Sequence, residues 1–143
     1  MIHRVTLNIP KIATINLEID DELAPKTVSS FLKCLPLDVA INSWGEELYT
    51  NEIPVTVGAE NAKPLVDLMD VAYWPTGKAI CLFFGPTPIG KKDEIKPYSP
   101  VNVIGKIKNI DKKFLKNVSD GMMVTLAAKN YGILLRNLLI YNG

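Results

Sequence analysis

A chain of 143 residues is long enough for one buried core, and its 16 basic and 15 acidic side chains leave a formal charge of +1. So even a balance sets up no field to draw the protein to nucleic acid or to an anionic membrane, and neither is expected as a partner. A hydrophobic fraction of 48% is ordinary for a globular domain, while 10 prolines and 9 glycines indicate many short elements joined by turns, which favours β structure.

Residues 3–9 alternate polar and apolar through Val5, Leu7 and Ile9, and residues 12–19 continue through Ile15, Leu17 and Ile19, predicting a hairpin about Pro10 and Lys11. This beginning holds no apolar run of the secretory kind, and no stretch reaches the ~18 apolar residues of a membrane helix. A cytoplasmic protein is expected. Asp20, Asp21 and Glu22 then precede Pro25, which suits a first helical turn because no N–H is needed there, and the carboxylates complement the positive end of the helix dipole. Ala24, Val28, Phe31, Leu32 and Leu35 share one face of this helix, and Pro36 ends it.

Strands are predicted at 38–44, 47–57, 68–74 and 79–84, each closed by a Gly, Pro or Asn turn signal. Between them lie two long surface loops, 58–67 and 85–100; the second holds Pro86, Pro88, Pro97 and Pro100 with three lysines. A β-branched strand follows at 101–107, then a short helix within 110–117 and a last strand at 122–127. This order predicts a mainly β fold: a closed barrel of about eight strands with two helices capping its ends. The barrel domain is assigned to residues 1–129. The tail, 130–143, carries Ile133, Leu134, Leu135, Leu138, Leu139 and Ile140, so it is expected to pack on the barrel or on a partner, a second copy of the chain among the options.

Several chemistries are excluded by the residue inventory. His3 is the sole histidine and the two cysteines, Cys34 and Cys81, form no Cys-x-x-Cys pair, so no metal site, no cofactor and no Ser/His/Asp arrangement is expected. Both thiols have apolar neighbours and read as buried and reduced. The stretch from Gly85 to Lys92 is no phosphate loop, because Lys92 stands where Ser or Thr is required. What remains is a concentration of aromatics: Trp44, Tyr49, Tyr73 and Trp74 are four of the seven Trp and Tyr residues and fall in two strand-end motifs. With Phe83 they are expected to line a groove on the barrel surface, the alternative being that they plug the barrel and its rims. Glu46 and Glu47 point to opposite faces of a strand, so one at most enters the groove; Glu46 is taken as that residue, and Asp70 and Lys78 as flanking charges.

The phrase Ala24-Pro25-Lys26-Thr27-Val28, running on to Phe31, resembles the start of the first cyclophilin helix. Leu82-Phe83-Phe84 is similar to the family's central strand, and Val101-Asn102-Val103-Ile104-Gly105-Lys106-Ile107 to a later one. The segments Asn42 to Tyr49, Asp70 to Ala79 and Leu82 to Gly85 resemble, more closely, small prokaryotic cyclophilin-like proteins of unknown function. The resemblance runs from about Val5 to Ala127. It implies the cyclophilin barrel, yet cyclophilins carry Phe-His-Arg after the first helix, and here residues 42–49 hold no basic residue. The only arginines are Arg4 and Arg136. Rotation about a peptide bond faces a barrier of ~18–20 kcal/mol and electrostatic preorganisation is usually the largest catalytic contribution, so prolyl isomerase activity is not expected. Three readings stay open: a protein binding a small molecule or extended peptide in the groove, a weak or atypical isomerase, and an interaction module.

Overall fold

The computed structural model describes residues 1–129. The proposed docking tail, 130–143, lies outside the described residues. In chain order the elements are β1 (Ile2–Ile9), β2 (Ala13–Asp20), α1 (Pro25–Lys33), β3 (Leu37–Trp44), β4 (Glu47–Thr50), β5 (Asp70–Trp74), β6 (Ala79–Phe83), β7 (Asn102–Lys108), α2 (Lys112–Leu115) and β8 (Met122–Ala128). The eight strands close into one barrel in the order β1-β2-β7-β5-β6-β4-β3-β8, with β8 pairing back to β1, and every pairing is antiparallel. Closure leaves no free sheet edge to template association.

Alternation along each strand sends one set of side chains inward. Leu7, Leu17, Ile41, Leu48, Ile80 and Leu126 are fully or almost fully buried in the interior, and Val28 and Phe31 of α1 and Leu115 of α2 join the same cluster, so both helices contribute to the barrel's core. On most of the wall the opposite set faces water. It does not on β5, β6 and β7, where Val66, Ala72, Cys81, Phe83, Val101 and Val103 form a second, smaller apolar cluster on the outside of the barrel. The two long loops cover this patch through isolated bridges between Lys63 and Val101 and between Val66 and Ile95. Strands β5 and β6 are therefore covered on both faces and read as continuous apolar runs.

Loop 58–67 also completes α1. The helix begins at Pro25 after Ala24, which has no side chain to cap it. The Glu60 carboxylate supplies the cap from a distance, accepting the backbone N–H groups of Lys26 (3.0 Å) and Thr27 (2.9 Å) and the Thr27 hydroxyl (2.8 Å). Asn102, fully buried on β7, locks this arrangement: its Oδ1 accepts the Glu60 N–H at 2.9 Å and its amide donates to Thr27 Oγ1 and Gly58 O, each at 3.0 Å. Partial burial works to raise the Glu60 pKa, but the hydrogen bonds from Thr27 and Lys26 outweigh it and hold the carboxyl below its usual value. Loss of this cap through Glu60→Ala is expected to lower the unfolding free energy by about 1 kcal/mol in denaturant titrations at neutral pH. Because the folded-state pKa is depressed, the stabilisation is present above the ordinary carboxylate pKa and disappears as acid protonates the native carboxylate; the two proteins should converge there.

Some predicted boundaries move for local reasons. The strand expected over 47–57 ends at Thr50, since Pro54 offers no N–H to a ladder; Ile53 and Val55 are buried all the same, with Ile53 N–H bonded to Lys78 O at 2.8 Å. The strand expected from 68 starts at Asp70 because Met69 has φ of 70°. Cys81 is buried as expected, whereas Cys34, at the end of α1, is half-buried. Among the described residues no helix is long and apolar enough to cross a membrane.

Candidate functional site

The outer apolar patch opens at one side into a recess of about 170 Å³ lined by Trp44, Glu47, Tyr49, Trp74, Cys81, Pro97, Tyr98 and Val101. Strand parity explains the first five. Gly45, at φ 61°, and Glu46 make a two-residue turn between β3 and β4, with Gly where a type II′ turn needs positive φ. That turn sets Trp44 opposite Glu47 across the strands, so both side chains leave the same outer face. Tyr49 lies two residues further on that face, opposite Cys81 on β6, and Trp74 ends β5 beside it. The loop 85–100 adds Pro97 and Tyr98 as the remaining wall.

The aromatic rings meet nearly at right angles. Tyr98 stands 6.1 Å from Trp44 at an interplanar angle of 69° and 5.9 Å from Trp74 at 74°. Such edge-to-face contacts are the favoured geometry for ring pairs. The Trp74 indole is fixed further by its N–H, which donates to Ser99 Oγ at 2.6 Å, and by Gly77, where a Cβ would strike the ring. Tyr98 itself is 72% exposed and forms the mouth.

At the base of this recess lies the only orphan among the buried side-chain polar atoms of the described residues, Oε1 of Glu47, which has no hydrogen-bond partner. Glu47 is 6% exposed. Burial pushes its pKa up to about 7, only partly offset by hydrogen bonding with the Cys81 thiol on the next strand. The thiol is driven in the same direction, first by its own burial and then by the neighbouring carboxyl, and is no nucleophile. A carboxyl in this setting is neutral in mild acid and ionised in mild base. It can therefore donate a proton, accept a hydrogen bond, or pair with a cation brought in by a ligand.

Of the six residues expected in the groove, Trp44, Tyr49 and Trp74 stand together in this recess, and Glu46, Tyr73 and Phe83 do not. Glu46 sits in the turn, with its backbone N–H bonded to Pro86 O, and its carboxylate pairs with Lys112 on α2 (3.8 Å) and with Lys116 just beyond it (3.0 Å). Its neighbour Glu47 is the one that enters. Tyr73 has the opposite strand parity to Trp74, so it fills the barrel interior and donates its hydroxyl to Val55 O at 2.6 Å. Phe83 is fully buried in the outer cluster behind the recess. Asp70 and Lys78 are spent on Lys106 (2.6 Å) and Glu52 (3.4 Å) respectively, away from the mouth. Glu47, Cys81, Pro97, Tyr98 and Val101 were absent from the expected set; Glu47 and Cys81 had a readable signal, the first its place opposite Trp44 across a two-residue turn and the second its shared parity with Phe83. Among the described residues no group of three or more His, Cys, Asp and Glu gathers to hold a metal ion.

A closed antiparallel barrel of eight strands with two helices, bearing the Ala-Pro-Lys-Thr-Val helix start, defines a cyclophilin-like protein. The chain belongs to the cyclophilin-like family: the sequence model described as Cyclophilin-like matches residues 3–127. The solution structure of a hypothetical protein from Archaeoglobus fulgidus is similar at 42% identity and a TM-score of 0.75, over 88% of this chain and 94% of that one. No curated protein matches the chain.

Proposed function

We propose that this cyclophilin-like barrel is a binding protein, whose recess takes a small molecule or one side chain of an extended peptide. The observation that supports the reading is the unpartnered Glu47 oxygen at the base of an open, aromatic-walled cavity. Leaving a buried polar atom unpaired costs roughly 1–3 kcal/mol, and a ligand group that pairs with it recovers that cost. A cavity of about 150 Å³ holds benzene, so this one has room for a comparable head group while the rest of a ligand extends past Tyr98. Among the described residues no arginine or lysine lines the recess, so none of these replaces the donor that cyclophilins aim at the proline amide. For that reason binding is favoured over isomerisation.

Both tryptophans of the chain line the recess, which makes intrinsic fluorescence specific to it. Titration with a panel of head groups, apolar, cationic and anionic, is expected to give saturable changes in emission for at least one class. Trp74→Ala should weaken that binding by about tenfold or more while the far-ultraviolet circular dichroism is unchanged. A panel without any saturable response, or responses indifferent to Trp74→Ala, refutes this use of the recess.

A further inference from the structure

We infer that the recess is selective for a methylated ammonium group, carried on a small molecule or on a lysine side chain, held among the rings of Trp44, Tyr49, Trp74 and Tyr98 with Glu47 as its counter-charge. This rests on reading the recess as a ligand site and specifies its ligand. The walls carry the argument first. Trp44, Tyr49, Trp74 and Tyr98 line one cavity, and each indole meets the Tyr98 ring edge-to-face, at 6.1 and 5.9 Å between ring centroids. A cation within ~6 Å of an aromatic face is attracted by the ring quadrupole, most strongly by Trp, and a head group seated among these rings meets several at once.

The base of the cavity carries the second part. Among the described residues Glu47 Oε1 is buried and unpartnered, and no lysine or arginine lines the cavity to neutralise it. An anionic head group meets a carboxyl and electron-rich ring faces, both repulsive. An apolar head group fits the walls but leaves the carboxyl oxygen unpaired. A bare ammonium ion is strongly hydrated and gives up that water at a cost that ring faces poorly replace. Methylation spreads the charge over an apolar surface, so a tertiary or quaternary ammonium suits walls and base together.

Ionisation of Glu47 couples this binding to pH. The other titratable residues that line the recess are Cys81 from β6, Tyr49 on the same strand and Tyr98 from the loop; the indoles do not titrate. Burial places the charge change of Glu47 at about 7. A cationic ligand should therefore bind more tightly as pH rises through that value, and a neutral one should not.

The test uses tryptophan emission of the full chain with four probes: tetramethylammonium, choline, a short peptide bearing trimethyl-lysine, and 3,3-dimethylbutan-1-ol, the uncharged isostere of choline. The expected result is saturable binding of the quaternary probes at about pH 8, roughly tenfold or more tighter than the isostere. Weakening towards pH 6, and loss of the preference in Glu47→Gln, are expected with it. Tighter binding of the trimethyl-lysine peptide than of choline identifies a modified protein as the source of the group, and the reverse order a free small molecule. Equal affinity for choline and its isostere overturns the charge selectivity while the recess stands as a ligand site. Silence from all four probes also overturns it, and the wider panel with Trp74→Ala then judges the recess separately. A Glu47→Gln protein that keeps the full preference, with a native thermal transition, removes the carboxyl from the proposal.

Discussion

Between about pH 5 and about pH 8 the wild-type protein is expected to lose roughly 2–3 kcal/mol of unfolding free energy that Glu47→Gln does not lose. The direction follows from burial. Glu47 is 6% exposed and its pKa is pushed up from 4.5 to about 7, so over that interval the folded state binds the proton more tightly than the unfolded one. Stability falls with pH wherever the native state holds the extra proton, and the loss is complete once pH exceeds the folded-state value. This is the reverse of the ordinary salt-bridged carboxylate and of Glu60, whose hydrogen bonds stabilise the ionised form. Urea titrations of both proteins at several pH values isolate the difference, since every other titrating group is common to the pair. Parallel curves would mean that the carboxyl is hydrated, and with it would go the argument for an unpaired oxygen.

Asn102→Ala is expected to cost about 3 kcal/mol, more than removal of Glu60 itself. Asn102 is fully buried and serves three groups: the Glu60 N–H, the Thr27 hydroxyl and the Gly58 carbonyl. Truncation leaves a cavity at a fully buried position, strips a donor from the buried Thr27 hydroxyl and releases the loop whose carboxylate caps α1. Combined with Thr27→Val, which removes the shared hydroxyl, the loss should be well below the sum of the two single losses, because the residues act in one network. Strict additivity in chemical denaturation would show that the contacts are independent.

How much of this was legible beforehand varied with the physics at each position. The barrel was, because Val5, Leu7 and Ile9 or Ile15, Leu17 and Ile19 alternate at the period of a strand with one wet face. Trp44, Tyr49 and Trp74 were also grouped from sequence, since strand ends bring aromatics to one surface. Tyr73 and Glu46 were misplaced by parity that the sequence did contain: adjacent strand residues face opposite sides, and a two-residue turn at Gly45 and Glu46 makes Glu47 the partner of Trp44. Phe83 was hidden differently. Strands β5 and β6 are covered on both faces, so their apolar runs carry no mark of inside or outside. Pro97 and Tyr98 had no local signal, because a loop without periodicity delivers them to the recess.

The separation of the two apolar clusters has an evolutionary consequence. The interior cluster draws on strands and helices around the whole barrel and closes without the six residues of the outer one. Selection on the outer wall, and on Pro97 and Tyr98 above it, can therefore reshape the recess while the inherited framework stays intact. Relatives that share this barrel are free to differ in the shape and lining of the recess, and a new loop in place of residues 85–100 is the natural place to begin re-engineering it.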